Sequence, residues 1–452
     1  MGEVGILVRL AIPVALAQLG MMSMGLVDLW MVGRLGKDSL GGVALGDLWA
    51  FGTTAIGMGI VMGLDPIVSQ AHGAGDGERA GRALQRGVVV ACLLGGVIWY
   101  LFGFAAQVTV LFDQEPHLAE IGGRYCAVQG WSIPAFLVFV ALRQYLQGRG
   151  MMRPALWTIL IANVFNYATN KVLIFGHLGF EPMGIEGAGI ATGLSRIVML
   201  VILIAWILKF RLHRGAWAPV RLATFHLRGF GEILRYGIPV GFQIGAEVWA
   251  FQAASLFAGR LGVEALAAHT ITLKIASTSF MIPLGIGAAA ATRVGNLVGE
   301  GDLPRSRLAA WTAIRLGAAV MFISGLTFAL MREKLGRAFS EDPEVLALIA
   351  SALPVAAAFQ IFDGIQVSAA GALRGAGRTM VTGIAFIVGF YVIALPASYM
   401  LSRHYGLAGI WWGLCLGLML VAGVLCTDLW LSQKRALQGE MRKSRVEDGS
   451  DR

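Results

Sequence analysis

The sequence predicts an all-α integral membrane protein of twelve transmembrane helices. Of its 452 residues, 57% are hydrophobic and 14% are charged, whereas about a quarter of the residues of an average soluble protein are charged. The apolar runs are about 20 to 28 residues long, enough to cross roughly 30 Å of hydrocarbon as helices and too long for barrel strands. A repeat of one half of the chain in the other divides the helices into two lobes of six.

Each predicted span is an apolar run between more polar segments. The first run has no basic n-region and no small-residue cleavage site, so we expect a retained helix and not a signal peptide. No large soluble domain is left over between the spans. The twelve predicted spans are 8–33, 44–70, 86–112, 121–147, 154–178, 186–208, 232–259, 266–292, 308–331, 345–373, 379–402 and 407–433.

The positive charges are distributed asymmetrically along the chain. About 23 of the 36 Lys and Arg residues lie at the N-terminus, in the even-numbered loops and in the tail, and about 8 lie in the odd-numbered loops. This bias predicts that both termini lie in the cytoplasm, and we expect a multi-pass protein of the inner membrane. The net charge of +9 therefore indicates contact with the lipid bilayer and not with nucleic acid.

The second half of the chain repeats motifs of the first half in order. "RLAIPV" at Arg9 returns as "RYGIPV" at Arg235, "GRLG" at Gly33 returns at Gly259, and "GAGD" returns as "GEGD". Since each half holds an even number of helices, the halves are parallel repeats, and we expect a pseudo-two-fold axis along the membrane normal with substrate handled between the halves. The predicted organisation is an N-lobe at 1–208, a cytoplasmic linker at 209–231, a C-lobe at 232–433 and a basic cytoplasmic tail at 434–452.

The repeated Gly-x-Gly-Asp motifs come where a helix stops. Glycine favours a left-handed helix C-cap, and Asp76 and Asp302 are suited to cap the helix that follows. We therefore predict a role in loop geometry for both motifs.

Three acidic residues fall deep inside predicted spans: Asp28, Glu247 and Asp363. A carboxylate at the centre of a membrane helix costs about 2.5–3.5 kcal/mol on insertion scales, so such groups normally face a cavity or a partner. We expect Asp28 to bind a proton or a cation, and Glu247 and Asp363 to share a proton or a sodium ion. The alternative for Asp28 is a structural hydrogen bond between helices, and for Asp47 and Asp65 the structural role is favoured.

Polar and aromatic residues accompany these acids. Asn163, Asn166 and Asn170 recur at helical spacing on the fifth span, so they share one face that should look inward, toward Asp28 or a cavity. A soft substrate pocket is a further hypothesis, although helix packing explains most such residues. Its candidate residues are Met24, Trp249, Phe251, Phe359 and Phe362.

The sequence carries no catalytic signature. It has no Walker loop, no HExxH motif and no nucleophile elbow, and its four cysteines show no CxxC spacing. We expect neither an enzyme, nor a cofactor, nor a structural metal. The energy for any transport would then come from an ion gradient.

Motifs along essentially the whole chain resemble those of the multidrug and toxic compound extrusion (MATE) transporters, most of all their NorM-like branch. They are "VDLWMVGRLG", "LGGVALG", "GAGD", "RVGNLVGEGD" and "ALRGAGRT". The resemblance implies two six-helix bundles that form a V-shaped cleft and export cationic or amphiphilic drugs in exchange for protons or sodium. It also implies that Asp28 with Asn166 and Asn170 forms the N-lobe site, and that Glu247 and Asp363 form the C-lobe cation site.

One position departs from the family pattern. Phe359 stands one turn before Asp363, where a tyrosine hydroxyl is expected in the NorM cation site. A phenyl ring offers sodium no ligand, so proton coupling is favoured, while sodium at Glu247 and Asp363 stays open.

The sequence favours an antiporter over two other classes of function. A flippase for lipid-linked precursors should line its cavity with several Arg and Lys residues to meet phosphates, but the mid-span cations are few, chiefly Lys171 and Lys274. A membrane enzyme should show a nucleophile or a metal cluster, and a receptor need not repeat itself in halves. The favoured prediction is a monomeric antiporter of small cationic drugs or toxic organic compounds.

Overall fold

The computed structural model describes residues 2–112 and 114–450, and those residues form helices and connecting turns without a strand. The end of the predicted tail, residues 451–452, lies outside the described residues. The helices of the first half are α1 Glu3–Val32, α2 Lys37–Val61, α3 Leu64–Gly73, α4 Gly77–Phe102, α5 Ala105–Leu111, α6 Pro116–Gly130, α7 Ile133–Gly148, α8 Arg153–Phe175 and α9 Gly184–Lys209.

The second half begins after a short 3-10 turn in the linker. Its eleventh predicted span contains a π-helical segment, Val388–Ala394, between α15 and α16. The helices are α10 Leu227–Arg260, α11 Val263–Glu300, α12 Leu303–Leu330, α13 Arg332–Arg337, α14 Pro343–Gly375, α15 Thr379–Ile387 and α16 Leu395–Ser450.

Each of the predicted spans corresponds to helix in the structure. Within the described residues, nine helical stretches are long and apolar enough to cross a membrane, and α6 with α7, bent by 59°, make a tenth. The stretch Thr379–Gln438 contains two predicted spans, which meet where Gly406 leaves the helical conformation with φ +54°. Helix α10, with 34 residues, accounts for the remaining span. The predicted all-α membrane fold is confirmed.

The chain forms two compact units, and neither is a continuous piece of sequence. The C-terminal unit comprises Met1–Ala15, Ser69–Gly75 and Ala246–Arg452, and the N-terminal unit comprises Leu16–Val68 and Asp76–Gly245. Helices α1 and α10 each contribute to both units. In each of these helices the boundary between the units falls a few residues after a proline. The two prolines, Pro13 and Pro239, occupy equivalent positions in the repeat. The predicted lobes, drawn by chain order alone, stay a prediction.

The two Gly-x-Gly-Asp motifs fold as predicted. Gly75 and Gly301 have φ values of +72° and +80°, which favour glycine. Asp76 accepts a hydrogen bond from the backbone N–H of Arg79 at 2.8 Å. Asp302 accepts the equivalent bond from the backbone N–H of Arg305 at 2.9 Å. The predicted caps of α4 and α12 are therefore confirmed.

In the C-terminal unit, glycines allow α14 to pack closely against two neighbouring helices. A Cβ on Gly371 would collide with the backbone of Gly287 in α11, and a Cβ on Gly364 would meet the backbone of Gly317 in α12. Small residues at such contacts let helix backbones approach each other within a membrane. Because Gly364 directly follows Asp363, this packing sets the rotation of α14 at the depth of that acid.

Candidate functional site

Asp28 lies in a polar cluster inside the N-terminal unit. Its side chain is only 3% exposed. It accepts hydrogen bonds from the Nδ2 of Asn170 in α8 and, at 2.7 Å, from the hydroxyl of Thr192 in α9. Asn170 Nδ2 also donates to Asn166 Oδ1 at 3.1 Å, and Asn166 is fully buried. Side chains of three helices thus meet at this carboxylate.

The third asparagine of the predicted stripe joins the helices in another way. Asn163 Nδ2 donates to the carbonyl of Gly20 in α1 at 2.9 Å. Gly20 permits this approach, because a Cβ there would touch the Ile159 side chain at 2.9 Å. The predicted shared face therefore exists: Asn166 and Asn170 lie at the Asp28 cluster, and Asn163 bonds α8 to α1.

Two further charges belong to the surroundings of Asp28. Asp47 of α2 and Arg196 of α9 lie close enough to Asp28 for their charges to interact, and the Tyr125 hydroxyl donates to Asp47. The Arg196 guanidinium donates to Ser132 Oγ at 3.2 Å. The cluster therefore combines two carboxylates with one guanidinium.

Sequence reasoning missed Thr192 and the role of Arg196. The two residues stand four apart on α9, so they share a helix face. That spacing was the only sequence signal for them. No residue close to Asp28 in the sequence indicates that one of its hydrogen-bond donors lies 164 residues away.

Glu247 and Asp363 come together in the C-terminal unit. Asp363 of α14 is 5% exposed and accepts a hydrogen bond from Gln366 Nε2 at 3.1 Å. Glu247 of α10 lies close enough to Asp363 for the two charges to interact. The structure thus places the two acids as neighbours. Their role in ion coupling stays a prediction.

Aromatic rings surround the helix turn that leads to Asp363. Phe359 is 3% exposed. Its ring packs edge-on against Phe251 of α10, with the ring centroids 6.0 Å apart, and against Trp411 of α16 at 5.8 Å. The ring centroid of His269 in α11 lies 5.7 Å from that of Trp411. Phe359 is therefore a packed apolar residue, and it brings no oxygen to the acid pair.

The residues of the predicted substrate pocket are divided between the units. Met24 is buried in the N-terminal unit, whereas Trp249, Phe251, Phe359 and Phe362 belong to the C-terminal unit. Phe251 and Phe362 are partly buried against the apolar core of that unit. Their contact with a substrate stays a prediction.

The described residues contain no group of three or more His, Cys, Asp or Glu side chains placed to hold a metal ion. The four cysteines are free, and Cys126 Sγ donates to the carbonyl of Gly46 at 3.2 Å.

Repeated helical halves with acids buried inside membrane-spanning helices are the architecture typical of secondary transporters. A family model described as MatE matches residues 13–172 and again residues 239–400, so the same family signature occurs in each half. The two matches together cover well over half of the chain. The chain belongs to this family of membrane transporters.

Relatives of similar length support this assignment. The chain is 35% identical over 445 residues to a protein of Mesorhizobium japonicum named probable multidrug resistance protein NorM, covering 96% of this chain and 94% of that one. It is 33% identical over 450 residues to the multidrug resistance protein PmpM of Pseudomonas aeruginosa, covering 97% and 94%. These relatives confirm a NorM-like member of the family.

Solved structures share the fold. The crystal structure of the eukaryotic MATE transporter AtDTX14 matches with a TM-score of 0.88 and 24% identity, over 97% of this chain and 98% of that chain. An outward-facing multidrug resistance MATE family transporter matches with a TM-score of 0.88 and 20% identity, over 96% and 97%. At this level of identity, the likeness concerns the fold.

Proposed function

We propose that the protein is a secondary active antiporter that exports organic cations and amphiphilic drugs by alternating access. Protons or sodium ions move in exchange. The observation that carries the proposal is the pair Glu247 and Asp363, two acids close enough to interact inside one unit of a membrane protein. Relatives named for multidrug resistance support the substrate class.

The pair can couple ion binding to conformation for an electrostatic reason. Two neighbouring carboxylates repel each other when both are ionised, and the repulsion is strong where water is scarce. A proton, a sodium ion or an organic cation relieves it. Because only one such charge is needed, a drug cation and a coupling ion would compete for the pair, which is the requirement for exchange.

The surroundings of the pair favour the proton as the coupling ion. Sodium needs several oxygen ligands, and the ring of Phe359 supplies none where a tyrosine hydroxyl was expected. A proton needs a single carboxylate oxygen. Asp28 would be the second coupling group, in the N-terminal unit, with Asn166 and Asn170 as its polar partners.

The distribution of positive charge supports the proposed position of the termini, and the sequence shows no catalytic motif. We propose that the protein acts as a monomer in the inner membrane with both termini in the cytoplasm. It needs no cofactor and catalyses no chemical reaction. The competing hypothesis, a flippase for anionic lipid-linked precursors, predicts a basic interior and not acids.

The test is transport by the full chain in proteoliposomes loaded with a fluorescent organic cation. An imposed proton gradient and an imposed sodium gradient are applied separately, with a protonophore or a sodium ionophore as the control for each. Drug movement driven by the proton gradient alone is the expected result. Drug movement that ignores both gradients would contradict antiport, and movement driven by sodium alone would contradict proton coupling.

A further inference from the structure

A pocket lined by basic and aromatic side chains lies at the C-terminal ends of α1 and α8. Its volume is about 330 Å³, and its walls include Trp30, Arg34, Tyr167, Lys171 and His177. All of these residues belong to the N-terminal unit. The transport proposal uses none of them.

Two of these side chains, Arg34 and Lys171, are cationic. The Arg34 guanidinium lies over the ring of Trp30, 4.0 Å from its centroid, and this stacking leaves the N–H edges free to donate. In the described part of the chain, Arg34 and Lys171 form no ion pair. The residues that line the pocket include no acid. The pocket therefore suits an anion.

An exposed apolar stripe leads along α8 to this pocket. Leu160, Ile161, Val164 and Tyr167 are 40%, 44%, 72% and 47% exposed, and Lys171 follows one turn later on the same face. With Trp157, also exposed, the apolar stripe extends for about 15 Å at 1.5 Å per residue, and for about 20 Å as far as Lys171. A ligand that fills both features has an anionic head and a long apolar tail.

The interaction of Arg34 and Lys171 with the helix dipoles does not explain the whole arrangement. Cations near a helix C-terminus are stabilised by the partial negative charge there, and this explains Arg34 after α1 and Lys171 in α8. It requires neither a concave pocket nor an aromatic wall. A phosphate requires several N–H donors that converge, and arginine meets it with two parallel bonds.

We propose that this pocket binds the phosphate of an anionic phospholipid, with an acyl chain along the exposed stripe of α8. Arg34 donates to the phosphate, Lys171 supplies the second positive charge, and Trp30 and Tyr167 hold the glycerol region. A free phosphate has the same head chemistry. The lipid is favoured because only a lipid uses the apolar stripe.

Native mass spectrometry of the full chain in detergent tests the proposal, with phosphatidylglycerol, phosphatidylcholine and glycerol phosphate as separate probes. The variant Arg34→Gln/Lys171→Gln removes both charges. Its matched control, Arg260→Gln/Lys334→Gln, removes the same charges from the C-terminal unit, where Arg260 is the repeat counterpart of Arg34. A third variant, Arg34→Lys/Lys171→Arg, keeps both charges.

We expect the double glutamine variant to bind phosphatidylglycerol at least about 10-fold more weakly, since charge-assisted bonds to phosphate are lost. The control and the charge-conserving variant should stay close to the unmodified protein. Equal binding by the double glutamine variant, or equal loss in the control, would overturn the site. An equal loss in the charge-conserving variant would show a structural effect instead. Glycerol phosphate binding as tight as the lipid would overturn the choice of occupant.

Discussion

The two units surround their buried carboxylates with different partners. Asp28 in the N-terminal unit receives neutral donors from α8 and α9, namely Asn170 and Thr192. Asp363 in the C-terminal unit has one such donor, Gln366, and a second acid, Glu247, beside it. Asp28 also has a second acid, Asp47, and a guanidinium, Arg196, close enough to interact with it. The difference is therefore that Asp28 has neutral donors from two other helices and a nearby cation, whereas Glu247 and Asp363 form no ion pair within the described residues.

This difference arises on a repeated scaffold. The repeat aligns Asp28 with Ala254, which is fully buried in the core of the C-terminal unit. Glu247 stands seven residues earlier, two turns along the helix and only about 20° around it. In the second repeat the acid therefore stands at another position on the same helix face, where it is close enough to Asp363 of α14 to interact with it. The lesson is that one repeated fold can surround a buried acid with neutral donors and a guanidinium in one unit, and hold an acid pair with a single neutral donor among the described residues in the other.

The largest effect is expected from neutralising the pair. Glu247→Gln and Asp363→Asn should each lower proton-driven drug transport by about 100-fold, since the group that exchanges proton and drug is lost. Transport in proteoliposomes at equal protein content is the measurement. Glu264→Gln, an exposed acid in the same unit, is the control. Transport within twofold of the unmodified protein would remove the pair from the mechanism.

Asp28→Asn should have a smaller effect, a loss of about tenfold, because most of its neutral donors can still bond an amide oxygen. Asp38→Asn, at an exposed acid of α2, is the matched control. The same assay measures both. A loss as large as that of Asp363→Asn would show that the two sites are equally coupled, and the contrast between the units would then fail.

Thr192→Val keeps the side-chain shape but removes the donor that lies 2.7 Å from Asp28. One net hydrogen bond of about 1 kcal/mol corresponds to roughly a fivefold change in rate. Ser195→Ala serves as the control, since Ser195 bonds the Ala191 carbonyl within its own helix. In an Asp28→Asn background the Thr192 change should add little, because the carboxylate that it serves is absent. Simple addition of the two effects would separate Thr192 from Asp28.

Phe359→Tyr should change the rate least and the ion dependence most. A hydroxyl one turn before Asp363 adds an oxygen near the pair, so sodium should begin to stimulate transport. Sodium-gradient and proton-gradient assays of the same proteoliposomes measure this, with Phe251→Tyr in the same aromatic cluster as the control. Stimulation of the unmodified protein by sodium to the same degree would show that Phe359 does not select the ion.

Much of the fold was predictable because a helix that crosses a membrane can be located from the length and hydropathy of one short segment. A helix in lipid must satisfy its backbone within one segment, so length and hydropathy locate it. The caps at Asp76 and Asp302 were predictable for the same reason, since a cap involves residues only three apart. The asparagine stripe of α8 also followed from spacing alone.

The candidate site was predictable in its acids and not in their partners. Asp28, Glu247 and Asp363 stand out because a charge in an apolar run is costly. Thr192 does not stand out, because hydroxyls are common in membrane helices. Arg196 does not stand out either, because no other residue of its predicted span pointed to a site. The pocket at Arg34 and Lys171 had no sequence signal beyond two isolated cations.

The sequence by itself determined the helices, the half-chain repeat, the family and the acids that carry the transport proposal. Each of these depends on residues close together in the chain or on the cost of a single group in lipid. The tertiary structure decided that Asn170 and Thr192 donate to Asp28, and that Glu247 and Asp363 lie close enough for their charges to interact. It also decided that α1 and α10 each contribute to both units. Only packing could settle these points, because partners more than a hundred residues apart meet through the rotation and tilt of whole helices, which no local pattern specifies.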